Sequence, residues 1–108
     1  MQLTVLDRFL LMGALPATGD FATIKIVRLL REKVSFRESE HDDYKIITNA
    51  DGTVSWDTNQ EKFVEMDFTP METKLVVEAM KKLDEEKKLT VQHVPLWEKV
   101  FPEEAKVS

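Results

Sequence analysis

The sequence predicts an α+β fold: an N-terminal helical hairpin, a small antiparallel β-meander of two to three strands, and two C-terminal helices. Three observations carry that prediction. Apolar residues recur at three- and four-residue spacing through the first third of the chain, the period shortens to two near residue 44, and the Thr69-Pro70-Met71-Glu72 run restores a helix start. The 108 residues, 43% of them hydrophobic, suffice for one core, because a chain of this size buries roughly two-thirds of its extended surface on folding. One compact domain is expected over 1–101, followed by a loose polar tail over 102–108.

Thr4 is placed to cap a first helix, with Asp7 at its third position toward the positive end of the dipole. The helix is expected to end near Met12, with Gly13 just beyond and Pro16 after it. Leu3, Leu6 and Leu10 form one stripe and Val5, Phe9 and Met12 another, interrupted by Asp7 and Arg8, so this helix should be central. A turn at 17–20 leads to Asp20, the expected cap of a second helix over Phe21 to Lys33. Its inward face is Ile24, Val27, Leu30 and Val34; Lys25, Arg28, Arg31 and Glu32 take the other side. The short connection makes the two helices neighbours in a hairpin.

Ser35 and Glu38 have the spacing of a capping box, predicting a short acidic helix over 36–42. Strands over 44–48 and 53–56 follow, joined by the Asn49-Ala50-Asp51-Gly52 turn. After a polar loop at 57–60, residues 62–68 alternate, with Val64, Met66 and Phe68 on one face and Phe63 the exception. Two strands alone are marginal, so this third strand should complete the sheet. From the Thr69 cap a helix is expected to reach Lys87, turning Met71, Leu75, Val76, Ala79, Met80 and Leu83 inward. Thr90 is a candidate cap, with Leu89 and Val94 spaced as a staple; Pro95 limits that turn and shifts the last helix onto Leu96, Trp97, Val100 and Phe101.

Charge divides the chain unevenly beneath a net −5. Residues 1–37 hold six basic and three acidic side chains, net +3, whereas 38–68 hold nine acids against two lysines, net −7; the remainder is −1. A segment that acidic repels polyanions and argues against nucleic-acid binding by the whole surface. It leaves two outcomes: the poles neutralise each other within the fold or across a dimer, or the basic helix meets an anionic partner.

Composition also excludes chemistry. With no cysteine there is no disulfide, thiolate zinc site, iron–sulfur ligation or cysteine nucleophile. No apolar run reaches the 18 or so residues of a membrane span, and Asp7 and Arg8 inside the first apolar stretch argue against a signal peptide; a cytoplasmic protein is expected. His41-Asp42-Asp43 lacks further ligands at metal-binding spacing, and Asn49 to Gly52 lacks the leading Asp and closing Glu of a calcium loop. Gly13, Gly19 and Gly52 are isolated, so no phosphate-cradling loop exists, and Ser35 and Thr69 are occupied as caps while Ser39 and Ser55 have no evident base. The expectation is a protein with no catalytic residue, no metal and no cofactor.

What remains is interaction. The acidic run Glu38, Glu40, Asp42 and Asp43, together with Trp56 and Trp97, forms the expected partner-binding set, because segregated charge steers association and Trp is enriched at interface hot spots. The partner is a protein, with a second copy of the chain as a further candidate. The alternative is a nucleic-acid-binding regulator using Lys25, Arg28 and Arg31, whose three-residue spacing suits a phosphate backbone. The line-up TVLDRFLLMGALPATGDFATIKIVRLLREKVSF, then VSWD, then a capped helix ending KKLDEEKKLT, resembles small uncharacterised proteins encoded by bacteriophages and prophages. That resemblance implies a bacterial cytosol and an accessory role played by binding one host or phage protein, and it transfers no catalytic residue.

Overall fold

The computed structural model describes residues 1–57 and 63–102. In chain order these form β1 (Gln2–Leu3), α1 (Val5–Ala14), α2 (Phe21–Val34), α3 (Glu38–Tyr44), β2 (Ile47–Thr48), β3 (Val54–Ser55), β4 (Val64–Glu65), α4 (Pro70–Glu85), a 3₁₀ turn (Val91–His93) and α5 (Val94–Val100). The fold is α+β, with helices supplying most of the core.

The helix starts obey local chemistry. Thr4 and Asp7 form a reciprocal capping box, each backbone N–H donating to the other's side chain at 3.1 Å. Asp20 accepts the Thr23 N–H at 2.8 Å, and Thr69 with Glu72 repeats the box ahead of Pro70. Several boundaries differ from the sequence expectation, among them α5, which takes in Val94 and Pro95 and leaves Phe101 outside. α1 runs through Gly13 to Ala14, and the Leu15 N–H still reaches the Leu11 carbonyl at 3.2 Å before Pro16 stops the chain. Ser35 ends α2 instead of starting α3: its N–H bonds the Arg31 carbonyl and its hydroxyl donates to the Glu32 carbonyl. The capping geometry of α3 therefore starts at Arg37, whose backbone N–H donates to Glu40 Oε1 at 2.9 Å. α4 stops at Glu85, because Lys87 turns left-handed.

The alternating segments split into two sheets of two strands each. β2 and β3 form the expected hairpin, pairing Ile47 with Ser55 and Thr48 with Val54, and Gly52 supplies the positive φ of its turn. Tyr44, expected in the first strand, is the buried last residue of α3. The third strand does not extend this hairpin. β4 pairs with β1, Gln2 opposite Glu65 and Leu3 opposite Val64, and the Met66 N–H continues the ladder to the Met1 carbonyl. The alternation of the described part holds: Val64, Met66 and Phe68 turn inward while Phe63, Glu65 and Asp67 face water. Lys62, the loop over 58–60 and the tail from 103 lie outside the described residues.

One apolar cluster joins the elements: Leu3, Leu11 and Leu15 meet Val27, Leu30 and Val34 of α2, Met66, Leu75, Val76 and Met80 of the middle and α4, and Leu96 of α5. Met71, expected inside, is exposed at the first turn of α4, where Glu72 takes the buried position to receive Lys33. Among the described residues no helix is long and apolar enough to cross a membrane.

Candidate functional site

The two charges that interrupt α1 are its most consequential residues. Arg8 is 1% exposed. Its Nε donates to the Val34 carbonyl at 2.9 Å and its Nη2 to the Ser35 carbonyl at 2.6 Å, capping the end of α2. Nη1 and Nη2 grip both carboxylate oxygens of Glu40 at 2.6 and 3.2 Å. The guanidinium also lies 3.9 Å from the Phe36 ring centroid. One side chain thus ties α1, the end of α2 and α3 together with charge-assisted bonds, the stronger kind in a site shielded from water. Arg8 holds the Glu40 carboxyl below its ordinary range against the opposing effect of burial.

That grip decides which acids of α3 are available. Glu40 and Tyr44, four residues apart, form the inner face. Glu38, Asp42 and Asp43 lie exposed on the outer side, with no ion-pair partner among the described residues; Arg37 and Lys45 stand at the two ends of the helix. Beside them is an aromatic patch. Phe9 contacts Phe36 at 4.8 Å and Trp56 at 5.4 Å between centroids, and His41 meets Phe36 edge-on at 6.1 Å. Trp56 is half-buried, and its Nε1, shielded from solvent, finds no hydrogen-bond acceptor among the described residues. Glu38, Asp42 and Asp43 therefore share the exposed side of α3, the helix reaches the aromatic patch that includes Trp56 through His41 and Phe36, and Glu40 is engaged by Arg8.

Trp97 lies elsewhere. It is half-buried on α5, its ring 4.4 Å from that of Phe101, and it lines a groove of about 400 Å³ with Asp84, Leu89, Thr90, His93, Val94 and Glu98. The His93 N–H closes the 3₁₀ turn onto the Thr90 carbonyl at 3.0 Å, and His93 Nδ1 in return accepts the Thr90 N–H at 3.0 Å. α5 is fastened beneath by Leu96, fully buried, and by Lys99, which pairs with buried Asp7 of α1.

The basic set Lys25, Arg28 and Arg31 is exposed along α2. Arg28 contacts Glu32 at 3.4 Å, and Phe21 and Leu29, both exposed, sit among the cations. Lys33, which follows them, turns back to the core and bonds Glu72 at 2.7 Å and the Asp67 carbonyl at 2.8 Å. Sequence reasoning placed Asp7 and Glu72 as capping residues but missed their ion pairs with Lys99 and Lys33 and the role of Arg8; the signal for Asp7 and Arg8 was in view, as charges have no reason to interrupt an apolar helix unless a partner receives them. No family description, curated protein or solved structure matches the chain.

Proposed function

We propose that the protein is a non-enzymatic interaction module, a phage-type accessory protein that binds one host or phage protein through the outer face of α3. The observation that supports this reading is the division of that helix. Its inner carboxylate is consumed by Arg8, whereas Glu38, Asp42 and Asp43 are held outward with no ion-pair partner among the described residues, on the helix whose His41 edges the aromatic patch of Phe36, Phe9 and Trp56. Glu38 and Asp42 stand four residues apart, and like charges at that spacing repel by about 0.2–0.5 kcal/mol; a basic partner surface relieves that repulsion. Carboxylates fixed by a buried anchor steer association without ordering a loop, and Trp56 adds the aromatic contact typical of binding hot spots.

The second reading, a nucleic-acid regulator, has the exposure of Lys25, Arg28 and Arg31 in its favour. Against it, Glu32 shares the face and Phe21 and Leu29 place apolar surface where a phosphate backbone would run.

The test is capture from nuclease-treated bacterial lysate, comparing the wild type with E38Q/D42N/D43N. A stoichiometric protein that the wild type retains, and that is lost both in the variant and at raised salt, supports the acidic face. Capture unchanged in the variant overturns it. Material that appears only when nuclease is omitted, and is lost in K25E/R28E/R31E, transfers the function to α2.

A further inference from the structure

The groove between the C-terminal end of α4, the 3₁₀ turn and α5 has a chemistry separate from the α3 face. We propose that it receives an arginine side chain presented by a protein partner; this rests on the interaction-module reading and adds the identity of one partner residue. The volume, about 400 Å³, lies in the lower range of ligand-sized clefts and suits one long side chain. Leu89, Val94 and Trp97 supply apolar lining for the aliphatic stem, which such side chains bury while their charged head remains polar-solvated.

The charges lining the groove have one sign. Asp84 and Glu98 are exposed carboxylates with no ion-pair partner among the described residues, and no Lys or Arg lines the groove. Asp84 also lies in the last turn of the 16-residue α4, so the negative end of that helix adds to the same field. Charge complementarity therefore selects a cation. A guanidinium answers better than an ammonium, since its planar fork can serve two carboxylates and lie against an indole.

The groove is preformed. Leu96 is fully buried beneath α5, Lys99 pairs with Asp7, and the Thr90 N–H fixes His93 through Nδ1. A receptor already ordered loses little conformational entropy on binding.

Trp56 and Trp97 are the two tryptophans of the chain, so W56F makes Trp97 a single fluorescent reporter. The probe is a short peptide carrying one arginine, titrated beside its neutral citrulline counterpart. The expected result is a saturable change in Trp97 emission with the arginine peptide, weakened about tenfold or more by citrulline or by D84N/E98Q, as loss of charge-assisted hydrogen bonds implies. The indole N–H resonance of Trp97 in the wild-type protein gives the same readout without W56F. No saturable change, equal binding of the citrulline peptide, or undiminished binding by D84N/E98Q each overturns the proposal; equal citrulline binding would make the occupant a neutral apolar segment. E38Q/D42N/D43N should leave this titration unchanged. Failure here with α3-dependent capture intact removes the groove alone, whereas loss of α3-dependent capture with the titration intact removes the α3 face and leaves the groove.

Discussion

Arg8 makes four hydrogen bonds to three residues from a position almost without solvent contact. Removing one partner of such a pair costs more than the pair itself contributes, because the other charge is left buried and the two carbonyls lose their donor. R8M is therefore expected to lower unfolding free energy by about 3–5 kcal/mol in urea titration, and to loosen α3 as read by amide exchange at His41 to Tyr44. Two buried or half-buried carboxylates set the acid limit of stability. Hydrogen bonds from Arg8 hold Glu40 below its ordinary value of 4.5 although burial pushes it up. At Glu72 burial pushes up, and the bonds from Lys33 and Thr69 outweigh it, again leaving the carboxyl below 4.5. A carboxylate lowered in the folded state contributes its full stability above the unfolded value and loses it as pH falls through the folded one. Denaturant stability should accordingly hold near neutrality and decline below about pH 4.5, and E40Q and E72Q should each flatten that acid limb. A wild-type curve with no decline there, or variants that keep the same slope, would contradict the assignment.

At the scale of single elements, the helix ends store correctable strain. Both α3 and α4 finish with the paired bonds of a Schellman motif: the Ile46 N–H reaches the His41 carbonyl at 3.0 Å, and the Lys88 N–H reaches the Leu83 carbonyl at 2.9 Å. Each places a lysine in the left-handed region, Lys45 at φ 51° and Lys87 at φ 58°, where a Cβ is penalised and glycine is not. K45G and K87G should each raise unfolding free energy by about 0.5–1 kcal/mol. Gly13 is the opposite case. It lies inside α1, with open space where a Cβ would stand, so G13A should stabilise by about 0.5–1 kcal/mol through helix propensity and a less disordered unfolded chain. Thermal melts of the three variants check the predicted gains, each expected as a raised midpoint.

Across the whole molecule, three ion pairs mark how the elements are fastened around the core. Arg8 with Glu40 joins α1 to α3, Lys33 with Glu72 joins α2 to α4, and Asp7 with Lys99 joins α1 to α5. The β1–β4 ladder adds a fourth joint, and Leu3 on it is fully buried in the central cluster. L3A should cost about 2–5 kcal/mol, the range for a buried leucine truncated in a core, and should raise amide exchange at Met66 while the β2–β3 hairpin is spared. This architecture spends basic side chains on internal pairs: buried Arg8 and surface Lys33 answer acids of the middle segment and α4, which is one way the poles of the chain neutralise each other. Among the acids without an ion-pair partner in the described residues, those on α3 and around the Trp97 groove form the two surfaces proposed to meet partners.

The elements were legible in the sequence because their causes are local. Thr4, Asp20 and Thr69 cap by reaching residues three positions ahead, the inward faces of α2 and α4 follow from spacing, and the Asn49–Gly52 turn dictates its own hairpin. Of the candidate site, sequence alone placed Glu38, Asp42 and Trp97 on helices, left Asp43 just past the third helix, and put Trp56 in the strand over 53–56, which the structure ends at Ser55. Spacing says which side of an element turns inward, though, and is silent on what meets it. Only the tertiary structure decided that Glu40 belongs to Arg8, 32 residues away, that Asp7 belongs to Lys99, 92 residues away, and that β4 takes the N-terminal strand in place of the hairpin. Those choices depend on which buried charge or open strand edge the collapsed chain brings within bonding distance, and no local pattern encodes that distance.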